Sequence, residues 1–244
     1  MAKEGFFRKN KYAFSLLIII LVLFGITAIN PPYPQDFFYE HIMTIVFFVL
    51  MIFSYKYFRL SNLSYTLIFA FLILHIIGAR FTYSEVPYPQ FFMNYFNFDI
   101  QEFFGWERNH YDRLVHFSFG LLFAYPLREL FWRVAQAKGI WRYYLPLELV
   151  MAFSMLYELI EYGFAVIVGG DVGQSYLGTQ GDEWDAQKDM LLATLGGLIT
   201  LSVTFFVNLF YKGFKNELKD SLKISRKTPL GEVELRRLKK RAGR

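Results

Sequence analysis

The stretch Tyr111-Asp112-Arg113-Leu114-Val115-His116 stands at the start of a long, mainly apolar segment. In an α-helix, Asp112 and His116 are four residues apart and lie on the same face. Ionisable side chains at the end of a membrane helix are energetically costly, which makes them candidates for a functional site. If other segments bring similar groups to the same end of the molecule, this pair forms one wall of that site.

The composition is typical of a polytopic membrane protein. Of the 244 residues, 55% are hydrophobic, 20% are aromatic and only 19% are charged, and the charged residues gather between long apolar runs. The chain contains no cysteine, which excludes disulfides, thiol catalysis and thiolate metal sites. The formal net charge of +5 comes mainly from short loops and a basic tail. Membrane orientation explains this distribution better than nucleic-acid binding, and we expect no nucleic-acid partner.

Six apolar runs have about the length that a membrane-spanning helix requires. They cover residues 12–29, 38–55, 63–79, 111–131, 146–168 and 187–211, with approximate ends. The first run is too long for a signal peptide, and no small-residue cleavage site follows it. The end of the fifth helix stays open, because Gly163 and the Gly169-Gly170 pair both offer a stop. We predict an all-α, polytopic membrane helix bundle over residues 1–211, followed by a basic cytoplasmic tail over 212–244.

The connection over residues 80–110 is unusually long and rich in Tyr, Phe, Pro and acidic residues. Its aromatic side chains suit the interfacial layer of a bilayer. A lid or lipid-facing platform is one interpretation, and interfacial packing without a part in chemistry is the other.

The positive-inside rule predicts that both termini are cytoplasmic. With six crossings, most basic residues fall on one side of the membrane, and only Arg80, Arg108, Arg113 and Lys188 fall on the other.

The external side then receives all four histidines and six acids, namely His41, His75, His110, His116, Asp112, Glu158, Glu161, Asp182, Asp185 and Asp189. Spacings of three and four place Glu158 with Glu161 on one helical face, and the three aspartates on another if the sixth helix begins as early as Asp182. The sequence therefore predicts an imidazole and carboxylate cluster at one end of the bundle.

Several carboxylates in a membrane require a compensating partner, because each costs roughly 2.5 to 3.5 kcal/mol on insertion scales and like charges repel. A divalent metal, ion pairs with Arg113 and Lys188, and protonation are the three alternatives. Carboxylate oxygens with one or two imidazoles suit Zn, Mn or Fe, and helical bundles build such sites. The candidate metal ligands are His75, Asp112, His116, Glu158, Glu161, Asp185 and Asp189. The candidate catalytic residues are Asp112, His116, Glu158, Glu161 and Asp189.

Other polar residues favour structural roles. We expect His41 and His110 to be ordinary interfacial residues. Glu129 with Arg128, and Glu148, are predicted to form structural pairs on the cytoplasmic side. Gly196-Gly197 is expected to allow close packing of helices.

Four segments resemble the YjdF-like proteins, an uncharacterised family of bacterial inner-membrane proteins. They are His75-Ile-Ile-Gly-Ala-Arg-Phe-Thr-Tyr83, Asp112-Arg-Leu-Val-His116-Phe, Tyr157-Glu-Leu-Ile-Glu161 and Tyr176-Leu-Gly-Thr-Gln-Gly-Asp-Glu-Trp-Asp-Ala-Gln-Lys-Asp189-Met. The resemblance covers most of the chain from the third helix onward. It implies a location in the bacterial inner membrane and supplies no established reaction.

A wider set of residues is similar to the VanZ-like membrane proteins, which include a teicoplanin-resistance accessory protein. That pattern has Asp-x-x-x-His on one helix, an acid on a later helix and an Asp-rich entry to a Gly-containing last helix. Its counterparts are Asp112/His116, Glu158/Glu161 and Asp185/Asp189 with Gly196-Gly197. The 80–110 connection and the Gly-Thr-Gln-Gly-Asp segment depart from that pattern.

Three functions are compatible with these residues. The first is a metal-dependent hydrolase or transferase that acts at the outer face on a lipid or lipid-linked envelope substrate, with a spare carboxylate as general base. The second is a proton- or cation-coupled transporter, which also requires a polar route to the cytoplasm. The third is a non-catalytic membrane or resistance accessory protein, in which the cluster is a structural ion network.

Overall fold

The computed structural model describes residues 11–212 and 239–240, and within 11–212 all regular secondary structure is helical. In chain order the helices are α1 (Lys11–Thr27), α2 (Pro34–Tyr55), α3 (Asn62–Arg80), α4 (Tyr88–Phe96), α5 (Ile100–Phe104), α6 (Tyr111–Arg133), α7 (Trp141–Val168), α8 (Gly170–Leu177) and α9 (Asp185–Lys212). The predicted all-α class is confirmed. The predicted basic tail lies almost entirely outside the described residues.

The six predicted spans correspond to α1, α2, α3, α6, α7 and α9. The fifth begins at Trp141 rather than near Pro146, because the helix accommodates that proline in its second turn. Membrane helices tolerate proline where neighbouring groups satisfy the freed backbone. The fifth helix continues to Val168 and ends at Gly169, whose φ of 66° is readily adopted by glycine.

The start of α9 differs from the prediction in one respect that affects the site. The helix begins at Asp185, so Asp182 precedes it and does not share a helical face with Asp185 and Asp189. Asp182 instead accepts a 3.1 Å hydrogen bond from the backbone N–H of Trp184. Aspartate commonly forms such a local turn just before a helix.

Among the described residues, four helices are long and apolar enough to cross a membrane, namely α2, α3, α7 and α9. Helix α1 has 17 residues and is shorter. Helix α6 carries ionisable residues near both ends, among them Asp112, Arg113, Glu129 and Arg133. These features are those of a membrane helix bundle, and the number of six crossings stays a prediction.

Helix α6 is the central element, since it packs against α3, α7 and α9. Its closest partner is α9, and glycines on both helices allow the approach. A Cβ atom on Gly120 would collide with the backbone carbonyl of Ala193, and one on Gly196 would collide with that of Phe117. A Cβ on Gly197 would lie 3.4 Å from Leu147 and Val150 of α7. The expected close packing at Gly196-Gly197 is therefore confirmed.

The middle of the bundle is an apolar core. Its buried residues are Ile20, Ile68, Leu72, Ile76, Phe123, Ala124, Leu127, Val150, Ala193 and Leu201. At the end of the bundle away from Asp112, Glu129 accepts hydrogen bonds from Ser64 Oγ (2.6 Å) and Arg133 Nη1 (2.8 Å). Glu129 thus has the expected structural role, but its cationic partner is Arg133 rather than Arg128. Arg128 instead stacks on the ring of Tyr143, with Cζ 4.9 Å from the centroid.

Candidate functional site

Three side chains from two helices converge near one end of the bundle. Asp112 lies in the first turn of α6, His116 one turn later, and Asp189 in the second turn of α9. One ligand atom from each of the three lies within 4.8 Å of the other two. Their exposed fractions are 9%, 7% and 2%. The close contact between α6 and α9 holds Asp189 against the Asp112/His116 pair.

Two glutamates of α7 complete this group. Nε2 of His116 lies 3.5 Å from Oε1 of Glu158 and 3.6 Å from Oδ1 of Asp112, so one imidazole nitrogen stands between two carboxylates. Glu161 is one turn further along α7, is buried, and interacts with Glu158. All five predicted catalytic residues therefore lie together. We call Asp112, His116, Glu158, Glu161 and Asp189 the carboxylate cluster.

Two carboxylate oxygens of the cluster are buried without a hydrogen-bond donor. They are Oε1 of Glu158 and Oδ1 of Asp189. A buried charged oxygen with no partner is strongly unfavourable, because it loses its water and gains nothing in return. At these two oxygens, a bound ligand would supply the interaction partner that the chain does not provide.

The basic residues next to the cluster are already paired with other acids. Arg113 contacts Asp182 and lies 3.2 Å from Oδ1 of Asp185, while Nζ of Lys188 lies 2.6 Å from Asp182. Within residues 11–212, no lysine or arginine forms an ion pair with the carboxylate cluster. Ion pairing with Arg113 and Lys188, one of the three alternatives, therefore does not neutralise the cluster in this structure.

Arg108 holds the loop before α9, and Gly178 of this loop lies next to Asp112. Its Nη1 donates to Oδ1 of Asp185 and to the carbonyl of Thr179, both at 2.7 Å. Its Nη2 lies 3.3 Å from Oδ2 of Asp185 and from the carbonyl of Gly178. This bidentate pairing fixes the loop before α9 beside Asp112. Asp185, a predicted metal ligand, thus lies in an arginine pair and outside the compact Asp112, His116 and Asp189 group.

The ionisable groups outside the helices respond to these contacts. The hydrogen bonds from Lys188 and from the Trp184 backbone hold the pKa of Asp182 well below its usual range. Burial, followed by the charges of Arg113 and Arg108, lowers the pKa of His110. His110 lies against Trp106, with ring centroids 4.5 Å apart, and is outside the Asp112, His116 and Asp189 group.

His75, another predicted ligand, has both ring nitrogens in hydrogen bonds. Nε2 bonds to Thr44 of α2, and Nδ1 lies 2.5 Å from the hydroxyl of Tyr83. Nearby, the hydroxyl of Tyr157 donates to Oε2 of Glu40 at 3.1 Å. The structure thus places His75 in hydrogen-bonded packing between α2 and α3 rather than in the compact ligand group.

The prediction that His41 is an interfacial residue is wrong. Its side chain is 2% exposed, its Nδ1 lies 2.7 Å from the carbonyl of Phe37, and its ring packs on Phe24 and Phe37. His41 lies on the inward face of α2, next to His75, with ring centroids 5.7 Å apart.

Four further polar residues support the site and were missed in the sequence. Glu40 and Arg108 carried a signal, because one is an acid inside an apolar run and the other is a rare basic residue on the acidic side. Tyr83 and Tyr157 carried no signal for a role in the site, since the chain has 17 tyrosines and the segments that contain these two were singled out only for their resemblance to the YjdF-like family.

Comparison with known proteins agrees with the helical, membrane-type architecture. Residues 12–209 match a family described as "Predicted membrane protein (DUF2238)". The chain belongs to this family. It is also 36% identical over 186 residues to "Inner membrane protein YjdF" of Escherichia coli (strain K12), an alignment that covers 76% of this chain and 83% of that protein.

The predicted YjdF-like family is therefore confirmed, and the DUF2238 member described here is an integral membrane protein. No solved structure matches the chain. The resemblance to VanZ-like proteins stays a prediction.

Proposed function

We propose that this DUF2238 protein is a membrane-embedded, metal-dependent hydrolase or transferase that acts on a lipid or lipid-linked envelope substrate. The observation that carries this proposal is the pair of buried carboxylate oxygens, on Glu158 and Asp189, that lack a donor beside three converging ligand atoms. A metal ion held by the Asp112, His116 and Asp189 group would satisfy the oxygen of Asp189 and offset the repulsion among the carboxylates.

The donor set suits such an ion. Asp112, His116 and Asp189 offer two oxygens and one imidazole nitrogen, the ligand types that Zn, Mn and Fe accept. Ligand atoms around a zinc ion stand roughly 3 to 4 Å apart, since each bond is about 2.0 to 2.2 Å long. The three atoms here lie within 4.8 Å of one another, so small side-chain rotations suffice. When bound, the metal would supply an activated water or polarise a phosphoryl or ester oxygen.

The remaining groups of the cluster have roles that follow from their positions. Oε1 of Glu158 has no hydrogen-bond donor and lies 3.5 Å from Nε2 of His116, so this carboxylate is placed to accept a proton from an attacking water or hydroxyl as general base. Glu161 is buried one turn further along α7 and adds another carboxylate next to Glu158. Arg108 and Asp185 hold the loop that borders the cluster.

A lipid substrate is favoured by the location of the site. The cluster lies at one end of membrane helices, where the headgroup region of a bilayer meets the protein. With both termini in the cytoplasm, this end is external, and the E. coli relative carries the name of an inner-membrane protein. The outer face of the bacterial inner membrane is therefore the proposed place of action.

The apolar core gives a reason to prefer an enzyme to a transporter. A coupled carrier needs polar groups along a route to the opposite face. Between the cluster and Glu129, however, the described interior is lined by Leu72, Phe123, Leu127 and Val150. Buried polar groups lie at both ends of the bundle, around the carboxylate cluster and around Glu129, and the apolar layer between them favours a site over a continuous pathway.

Metal analysis of the purified protein tests the proposal. The wild type, after incubation with Zn, Mn or Fe(II) and desalting, is expected to retain about one equivalent of one of these metals. His116→Ala and Asp189→Asn are expected to lose it. His110→Ala is the matched control, since this histidine lies outside the cluster, and it is expected to retain the metal.

A wild-type protein that is folded but retains none of the three metals would overturn the metal-dependent mechanism. Retention of metal by His116→Ala and Asp189→Asn, at the level of His110→Ala, would place the metal elsewhere and contradict the assignment of ligands.

A further inference from the structure

The segment between α3 and α6 exposes a group of aromatic side chains that no helix of the bundle covers. Within residues 88–104, large side chains with exposed fractions above one half are Phe91 (51%), Tyr95 (75%), Phe96 (64%), Phe103 (68%) and Phe104 (54%). Exposed apolar patches of this kind mark a contact with another molecule or with a membrane.

These aromatic residues form one connected surface. Along α4, Phe91 packs on Tyr95 with ring centroids 4.8 Å apart, and Phe92 packs on Phe96 at 5.7 Å. Both pairs are spaced by four residues, so they lie on one side of the helix. The surface continues from Phe98 to Phe103 at 5.2 Å, across the chain reversal between α4 and α5. We call residues 88–104 the aromatic platform.

Local hydrogen bonds give the platform a defined shape. Asp99 caps α5 by accepting from the backbone N–H groups of Gln101 and Glu102, both at 3.0 Å. Asn97 and Gly105 end α4 and α5 in the left-handed conformation, with φ of 49° and 64°. The platform is thus two short helices held at a fixed turn.

The other side of the platform is polar. Gln90 and Gln101 line an open groove of about 290 Å³ together with Glu107, Arg108 and Asn109. On α4, Gln90 is about 140° around the helix from Tyr95, at 100° per residue. The platform therefore has an aromatic side and a polar side, which is the pattern of a helix that lies in a membrane interface.

The connections of the platform determine what its aromatic side meets. It is joined to the end of α3 at Arg80 and to the start of α6 at Tyr111, and these two helices pack on each other. Tyr111 and Asn109 anchor this region, since the hydroxyl of Tyr111 donates to the carbonyl of Leu74 and the amide of Asn109 donates to that of Val86. The two ends of the aromatic platform are thus connected to the bundle at the same membrane face, beside the carboxylate cluster.

We propose that the aromatic platform lies in the interfacial layer of the lipid leaflet next to the carboxylate cluster, with its aromatic side in contact with lipid and its polar groove facing water. The only charged side chains between Tyr88 and Trp106 are Asp99 and Glu102. Asp99 is used as a helix cap, which leaves Glu102 as the exposed charge of this stretch, and the aromatic side chains themselves offer a protein partner no ionic contact. Tyr and Phe at the boundary of membrane helices favour lipid as the occupant.

The absence of cysteine from the sequence permits a direct test, because single cysteines can be spin-labelled without background. Tyr95→Cys and Phe103→Cys place labels on the aromatic side, and Gln90→Cys and Glu107→Cys place matched labels at the polar groove. Each labelled full-length protein is reconstituted into vesicles of phosphatidylethanolamine and phosphatidylglycerol. Collision rates are then measured with molecular oxygen, which enriches in lipid, and with a water-soluble nickel chelate.

Labels at Tyr95 and Phe103 are expected to collide several-fold more with oxygen than with the nickel chelate, and labels at Gln90 and Glu107 are expected to show the reverse. Equal access of the nickel chelate to all four positions would overturn the proposal. Protection of Tyr95 and Phe103 from both reagents would also overturn it, because it would show that a second copy of the chain covers this side. The result does not depend on metal binding, so it can succeed or fail separately from the proposed enzyme function.

Discussion

Asp189 is the most buried acid of the carboxylate cluster, with an exposed fraction of 2% and one oxygen that has no donor. Natural proteins retain such a group where it serves a ligand, since it weakens the protein by itself. Replacing Asp189 should therefore stabilise the ligand-free protein and destabilise the ligand-bound protein. A purely structural acid would not show this reversal.

We expect Asp189→Asn to stabilise the metal-free protein by about 1–3 kcal/mol, because it removes an unsatisfied charge while keeping the shape of the side chain. In the presence of metal at a thousand times its dissociation constant, the wild type should gain about 4.1 kcal/mol and the variant should gain nothing. Thermal unfolding in detergent, with a chelator and with added metal, measures both effects.

Glu129→Gln provides the control at the other end of the bundle. Glu129 is buried but hydrogen-bonded to Ser64 and Arg133, so its replacement should destabilise the protein equally with and without metal. A metal-free Asp189→Asn protein that is less stable than the wild type would show that Asp189 has a structural partner, contrary to our assignment.

At this scale, sequence reasoning found the acids and histidines but not their partners. The five members of the carboxylate cluster are recognisable because each is an ionisable group within a membrane helix. His75 could not be separated from them, because its bonds to Thr44 and Tyr83 depend on how α2 and the loop after α3 meet. Arg108 is also 77 residues from Asp185, and no local pattern connects the two.

At the scale of helices, the contact between α6 and α9 positions the site. Gly120 and Gly196 let the two backbones touch, and Asp189 stands two turns before Gly196 on the same helix. Any side chain added at this contact must move α9 away from α6, and Asp189 would move with it away from His116.

Gly196→Ala is therefore expected to destabilise the protein by about 1–3 kcal/mol, the usual cost of overpacking a tight contact, and to weaken metal retention. Gly163→Ala is the matched control, because a Cβ at Gly163 of α7 meets nothing within 4 Å. The control should be neutral or stabilising by up to about 1 kcal/mol, since alanine is the better helix former. Chemical unfolding and metal content are measured for both. Equal effects of the two substitutions would contradict the tight contact.

The helices themselves were largely predictable, since apolar length and Gly-Gly spacing are local features. The errors arose where local rules compete with packing. Pro146 marks a plausible helix start, yet α7 begins five residues earlier because the surrounding bundle supports the interrupted turn. Asp182 has the spacing to join α9, yet its contacts with Arg113, Lys188 and the Trp184 backbone keep it outside the helix.

At the scale of the whole molecule, polarity is distributed unevenly along the helix axes. The carboxylate cluster, the Arg108 contacts and the aromatic platform lie at one end, while the apolar core fills the middle. The sequence predicts this division because charges gather between apolar runs. It does not reveal how the runs pack, which depends on contacts between residues far apart in the chain.

The side of the membrane that bears the cluster is the last prediction. The distribution of Lys and Arg predicts that the loop between α6 and α7 is cytoplasmic and that the loop before α6 is external. Glu107 and Lys138 are both exposed and lie in these two loops. In intact spheroplasts, a membrane-impermeant maleimide should label Glu107→Cys and should label Lys138→Cys only after lysis. The reverse pattern would turn the site toward the cytoplasm and exclude an external substrate, whereas the predicted pattern, combined with a bound metal, would direct the search for a substrate to lipids of the outer leaflet.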